Sequence, residues 1–165
     1  MDNFVLKFLF NFEHVTYYSV VPGEDFNGIS IYEDFVNRFT IEEKEKLQHI
    51  IVWLTRIGQI HGARPTLFRS EILASALPPS GIDFEPTYQE GDENMANPLR
   101  LYCHVLNRHV VILFSGDIKT TRVAQDCPNV GKHFILANKL AKAIDNCIRS
   151  KEIEWVDNDR DIFFD

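Results

Sequence analysis

Cysteine, methionine and tryptophan are scarce in this chain: three, two and two among 165 residues. Cys103, Cys127 and Cys147 lie far apart, with no C-x-x-C and no even set. That spacing argues against a disulfide framework and a structural zinc site, and it fits a reducing cytosol. No apolar run approaches the roughly 18 residues of a membrane-spanning helix. The opening MDNFVLKFLFNF is apolar, but Lys7 interrupts it, no basic region precedes it and no small-residue cleavage site follows. A secretory leader is therefore not expected. Glycine-rich phosphate loops, internal repeats and low-complexity tracts are missing as well. His104 and His109 flank a turn, yet no third ligand stands at a suitable spacing, so neither a metal nor another cofactor is expected.

What is present suits a soluble α+β protein. Length and a hydrophobic content of 45% predict one domain over 1–165 with a sizeable core. The formal charge of −7 is unevenly spread. Residues 99–151 hold nine basic residues and three acids, a net of +6, whereas 76–98 and 152–165 each carry −5. A local basic surface matters more than the total when the ligand is phosphate.

Along the chain, Phe4, Leu6, Phe8, Phe10 and Phe12 alternate with other residues as in a strand, and Val15 to Val21 reads as a second one. Ser30-x-x-Glu33 has the spacing of a capping box and opens a short helix whose inner face is Ile31, Phe35, Val36 and Phe39. Thr40-x-x-Glu43 repeats that signal and predicts a longer helix with Leu47, Ile50, Ile51, Leu54 and Ile57 as one stripe, stopped by Gly62 and Pro65. Residues 66–75 read as a strand. Residues 76–98, rich in proline, glycine and acids, read as a long loop insertion. Pro128 precedes a third helix with Phe134, Ala137, Leu140, Ile144 and Ile148 inward. Residues 152–165 read as a small acidic hairpin. The expected architecture is a twisted, mainly antiparallel sheet packed against two N-terminal helices and one later helix.

Leu99 to Arg122, LRLYCHVLNRHVVILFSGDIKTTR, holds the main functional signal. Leu99, Leu101, Cys103 and Val105 alternate with Arg100, Tyr102 and His104, so one face packs while the other stays polar. His109 to Phe114 is a short apolar run typical of a buried strand, after which Gly116 and Asp117 turn the chain towards Lys119 and Arg122. Cations and proton-moving groups brought together in this way suit work on a phosphodiester. Cys103 and Cys127 read as small buried residues, His61 and His133 as capping or surface residues, and Trp53 and Trp155 as packing. The acidic 76–98 loop or the 152–165 tail either covers the basic hairpin or simply forms a solvated face.

Over roughly residues 30–150 the chain resembles the RelE/HigB superfamily of type II toxin–antitoxin toxins. Paired helices of the kind in 30–62 precede a sheet there. Leu99, Arg100 and Tyr102 match a Leu-Arg…Tyr segment of the central strands. Val110 to Phe114 with Gly116 and Lys119 match an apolar strand leading to a glycine–lysine turn, and Phe134 to Ile148 match the closing helix. The resemblance implies a RelE/ParE-like fold and a metal-independent, bacterial endoribonuclease that cuts mRNA in the cytoplasm, commonly at the ribosome, under control of a cognate antitoxin. It also implies that Arg100 and Lys119 bind phosphate and face transition-state charge. Tyr102 and His104 become candidates for proton transfer, and Arg69 and Arg122 for RNA positioning. The rival reading is a non-catalytic protein-binding module on the same fold.

Overall fold

The computed structural model describes residues 3–25, 27–120 and 127–150. Strands β1 (Phe4–Asn11) and β2 (Thr16–Pro22) form an antiparallel hairpin. A bulge between Phe8 and Phe10 interrupts it. One extra residue flips the faces of everything beyond it. Phe4 and Leu6 therefore pack on one side of the sheet, and Phe10 and Phe12 on the other, although all four share one sequence parity.

Helix α1 (Ile31–Glu42) begins with the expected capping box: Ser30 accepts from the Glu33 amide, and the Glu33 carboxylate accepts from the Ser30 amide and from Lys7 Nζ at 2.7 Å. The second capping signal does not start a helix. α1 runs on to Glu42, and the Thr40 hydroxyl bonds back to the Val36 carbonyl at 2.6 Å, a use of threonine that a helix interior tolerates. The break falls at Glu43, and α2 (Lys44–Arg56) follows without a side-chain cap. A wide turn over Ile57–His61 ends it at Gly62, whose φ of 74° is a left-handed conformation suited to glycine.

The segment expected as one strand over 66–75 is two. β3 (Arg69–Glu71) and β4 (Ala74–Leu77) form a tight hairpin, and Ile72 takes φ 71° at the turn. The acidic insertion contains a short ribbon, β5 (Tyr88–Glu90) with β6 (Glu93–Met95). β7 (Leu99–Asn107) and β8 (Val110–Ile118) are the central hairpin, and α3 (Gly131–Arg149) closes the described fold. The C-terminal hairpin expected at 152–165, with Trp155, lies outside the described residues.

The result is an α+β fold with a mixed six-stranded sheet in the order β1-β2-β8-β7-β4-β3. β2 and β8 are parallel and the other pairs antiparallel. Parallel neighbours need a crossover, and α1 and α2 lie on the chain between them. These two helices cover one face, where Phe35, Phe39, Leu47, Ile50, Trp53 and Leu54 meet Leu99, Leu101, Val111 and Leu113. α3 covers the other through Phe134, Ala137, Leu140 and Ile144, against Ala74, Ala76, Tyr102, Ile112 and Phe114. Ser19 links three elements: its hydroxyl donates to the Leu113 carbonyl and accepts from the Tyr32 amide.

The acidic insertion rests on α2 rather than on the hairpin face beneath α3. His49 meets the Pro86 carbonyl, Lys46 lies 3.8 Å from the Glu90 carboxylate, and Trp53 meets Phe84 edge to face. The two ends of the insertion do meet basic residues: the Pro78 carbonyl accepts from Arg69 Nε and the Asn97 carbonyl from Arg100 Nη1. The other cover expected of the hairpin, the 152–165 tail, lies outside the described residues.

Candidate functional site

The expectation that one face of β7 stays polar and open is corrected by α3. Arg100, Tyr102 and His104 are all buried, at 7%, 0% and 8% exposure, and the apolar stripe of the amphipathic helix α3 packs on Tyr102. Each solves this burial differently. His104 Nε2 meets Asp145 Oδ1 of α3 at 2.8 Å, which ties the middle of β7 to the helix. The Tyr102 ring stands edge to face on Phe134, and its hydroxyl has no hydrogen-bond partner. Arg100 Nη1 donates to the carbonyls of Asn97 and Leu99, while its Nε has no partner.

Arg100 sits opposite Asp117 in the β7–β8 register, yet that carboxylate is bonded to Arg38 Nη1 of α1 at 3.0 Å. What lies near Arg100 is another cation. Arg69 of β3 shares a cross-strand row with Ala76 and Tyr102, and its Nε donates to the Pro78 carbonyl at 2.8 Å. Burial, with Arg69 adding to it, lowers the Arg100 pKa to about 10; Tyr102 and Glu71 pull the other way. Lys119 follows β8, its amide bonded to the Pro98 carbonyl. Glu71, two residues beyond Arg69 and therefore on the same face of β3, feels Lys119, Arg100 and Arg69 together. Burial raises its pKa, and these three cations only partly oppose the rise.

Close packing of the backbone fixes Arg100. A Cβ built on Gly116 would stand 1.7 Å from the Arg100 carbonyl, so only glycine lets β8 approach β7 here. Asn97 holds the other side. It is buried, its carbonyl takes Arg100 Nη1, its Oδ1 takes the Leu99 amide, and its Nδ2 reaches the Lys46 carbonyl and His49 Nδ1 on α2.

Cys127, 2% exposed, adds a sulfur to this end of the sheet. Its Sγ accepts from the Thr120 amide at 3.3 Å and lies 3.4 Å from the Thr120 hydroxyl. Burial alone would raise the thiol pKa, but these bonds and the Val130 and Asn129 amides bring it down to about 6. The Tyr102 hydroxyl interacts electrostatically with Glu71, Arg100, Cys127 and Arg69, and burial is the main cause that pushes its pKa far above the ordinary range.

Of the six residues singled out in the sequence, then, Arg69, Arg100, Tyr102 and Lys119 share one neighbourhood around Glu71. His104 stands apart as a strut to α3, and Arg122 lies outside the described residues. Sequence reading missed Glu71 and the thiol. The Arg-Ser-Glu spacing in a strand was the signal for the first, and Cys-Pro in the turn just ahead of a helix for the second. Among the described residues no group of three or more His, Cys, Asp or Glu could hold a metal ion, and no helix is long and apolar enough to cross a membrane. Comparison with protein-family models, curated proteins and solved structures finds no match.

Proposed function

We propose that this chain is an RNA-cleaving toxin of the RelE/HigB kind: a metal-independent endoribonuclease acting on mRNA in the cytoplasm and restrained by a cognate antitoxin. The observation that supports it is the charge around Arg100. Among the described residues, Arg69, Arg100 and Lys119 gather about one carboxylate, Glu71, and Arg100 has no ion pair and a free Nε. Buried cations are ordinarily paired, so a surplus of this kind asks for an anion from outside. The element order, paired helices, central hairpin and closing helix, supports a RelE/ParE-like fold.

In such a cleavage the ribose 2′-oxygen bonds to the adjacent phosphorus and the bond from phosphorus to the 5′-oxygen breaks. One proton leaves the 2′-hydroxyl and another reaches the departing oxygen. Arg100 and Lys119 face the charge that collects on the phosphoryl oxygens. Arg69 and Arg122 position the strand. Glu71 has the raised pKa of a proton acceptor, and Tyr102, held protonated, donates a hydrogen bond. His104 acts on position through Asp145.

Induced expression is expected to arrest growth, and Arg100→Ala with Lys119→Ala to relieve the arrest. Soluble wild-type protein without toxicity contradicts the proposal and favours a second reading, a non-catalytic protein-binding module. Two observations speak for that module: Tyr102 and His104 are covered by α3, and the strained β3–β4 turn exposes Ile72 and Leu73 beside a groove of about 280 Å³ lined by Pro65, Phe68 and Val105.

A further inference from the structure

Helix α3 turns a single line of residues to solvent. Its exposed positions are Lys132, Ile135, Lys139, Lys142, Asn146 and Arg149. They are spaced three and four apart, so they stack as one ridge about 25 Å long. Four of the six are cations. The one carboxylate of α3, Asp145, stands off the ridge, where His104 Nε2 of β7 meets it at 2.8 Å. Among the described residues the four cations make no ion pair, and Arg149 bonds instead to the Asn146 side chain. Elsewhere Lys7, Arg38 and Lys46 each lie on a carboxylate. A merely solvated face, in a chain with 24 acids to 17 bases, would mix the two signs. The ridge also starts beside the cation cluster: Phe134, in the first turn of α3, stands on Tyr102, and His133 feels Asp117, the residue opposite Arg100.

The composition of the ridge selects its partner. Lysine is a point charge suited to phosphate, yet it is depleted from protein–protein interfaces, which rely on aromatic, methionine and arginine anchors. The ridge holds three lysines and no aromatic ring. Without a ring on which to stack an unpaired base, it can meet the phosphates of a helical strand but not grip the bases of a single one. We propose that the outer ridge of α3 docks the phosphate backbone of double-stranded RNA, without reading its sequence, and so anchors a folded RNA beside the cation cluster. The choice of RNA among polyanions rests on the cleavage reading above; the docking does not need the cluster to cut.

The test is binding of a short RNA duplex to the full chain over a range of salt. Each phosphate contact adds about 0.9 to the slope of log K against log salt. The Lys139→Gln, Lys142→Gln variant should therefore bind about tenfold or more weakly at about 0.1 M salt, with a slope flatter by about 1 to 2. Both side chains are exposed, so its Tm should match the wild type. A Lys44→Gln, Arg56→Gln variant removes the same charge from exposed positions on α2, across the sheet, and should bind as the wild type does.

Equal losses in the two variants would reveal a general effect of net charge and overturn the ridge. So would a single strand bound as tightly as the duplex, a DNA duplex bound more tightly than the RNA one, or no duplex binding at all. Ridge-dependent binding without new mRNA ends in cells upholds the docking surface and overturns only the endoribonuclease. Cleavage of mRNA with a salt slope that the ridge variant leaves unchanged does the reverse.

Discussion

At the scale of single residues, the informative ones are those whose local chemistry is unfavourable in the fold. The Tyr102 hydroxyl is wholly buried and unmet. Removing it takes away a desolvation cost, so Tyr102→Phe is expected to raise unfolding stability by about 1 kcal/mol in the absence of ligand. Urea denaturation checks this, and a loss of stability would mean that the hydroxyl has a structural partner. Ile72 is a second case. A β-branched residue at φ 71° stores roughly 1–3 kcal/mol, and its side chain is 74% exposed, so little packing offsets the strain. Ile72→Gly relieves it and is expected to stabilise by about 1 kcal/mol after the extra chain entropy of glycine. A lower urea midpoint would contradict that account.

At the scale of elements, the loop that ends in Asn97 couples α2 to Arg100. If Asn97 Nδ2 donates to His49 Nδ1, then His49 Nε2 carries the proton that goes to the Pro86 carbonyl, and the ring is neutral. Burial lowers the His49 pKa from the ordinary 6.5, against the pull of the Pro86 carbonyl; Lys46, Tyr88 and Glu90 face the same region. A lowered histidine pKa means that the unfolded chain binds the proton first. Stability from this contact is complete above pH of about 6.5 and is lost as pH falls through the lower native value. The urea midpoint should drop over that range, and His49→Gln should flatten the dependence; an unchanged slope in the variant would locate the titration elsewhere. The elements themselves were largely legible. The capping box at Ser30, the stripe of α2, the central hairpin and the inner face of α3 all follow from period and caps. The register faults were not: the bulge that divides Phe4 from Phe10, and the use of Thr40 inside α1, depend on what each strand or helix packs against. Arg100, Tyr102 and His104 show the same limit. Alternation placed them on one face, but whether that face meets water or α3 is decided by a helix thirty residues downstream.

At the scale of the whole molecule, the segregation of charge in sequence becomes a placement in space. The ribbon of the acidic insertion rests on α2 while its ends meet Arg69 and Arg100 through backbone carbonyls, so among the described residues Glu71 is the carboxylate that faces the positive cluster. Electrostatic stabilisation by such groups is usually the largest single contribution to phosphoryl chemistry, about 100- to 1,000-fold in rate for each well-placed donor. Loss of two should therefore silence the reaction while leaving the apolar core untouched. The most direct test is primer extension on mRNA from cells expressing the full chain or its soluble Arg100→Ala, Lys119→Ala variant. The account predicts new, discrete 5′ ends with the wild type and their loss, by about 100-fold or more, in the variant. New ends that persist undiminished in the folded variant, or none with the wild type, would contradict it.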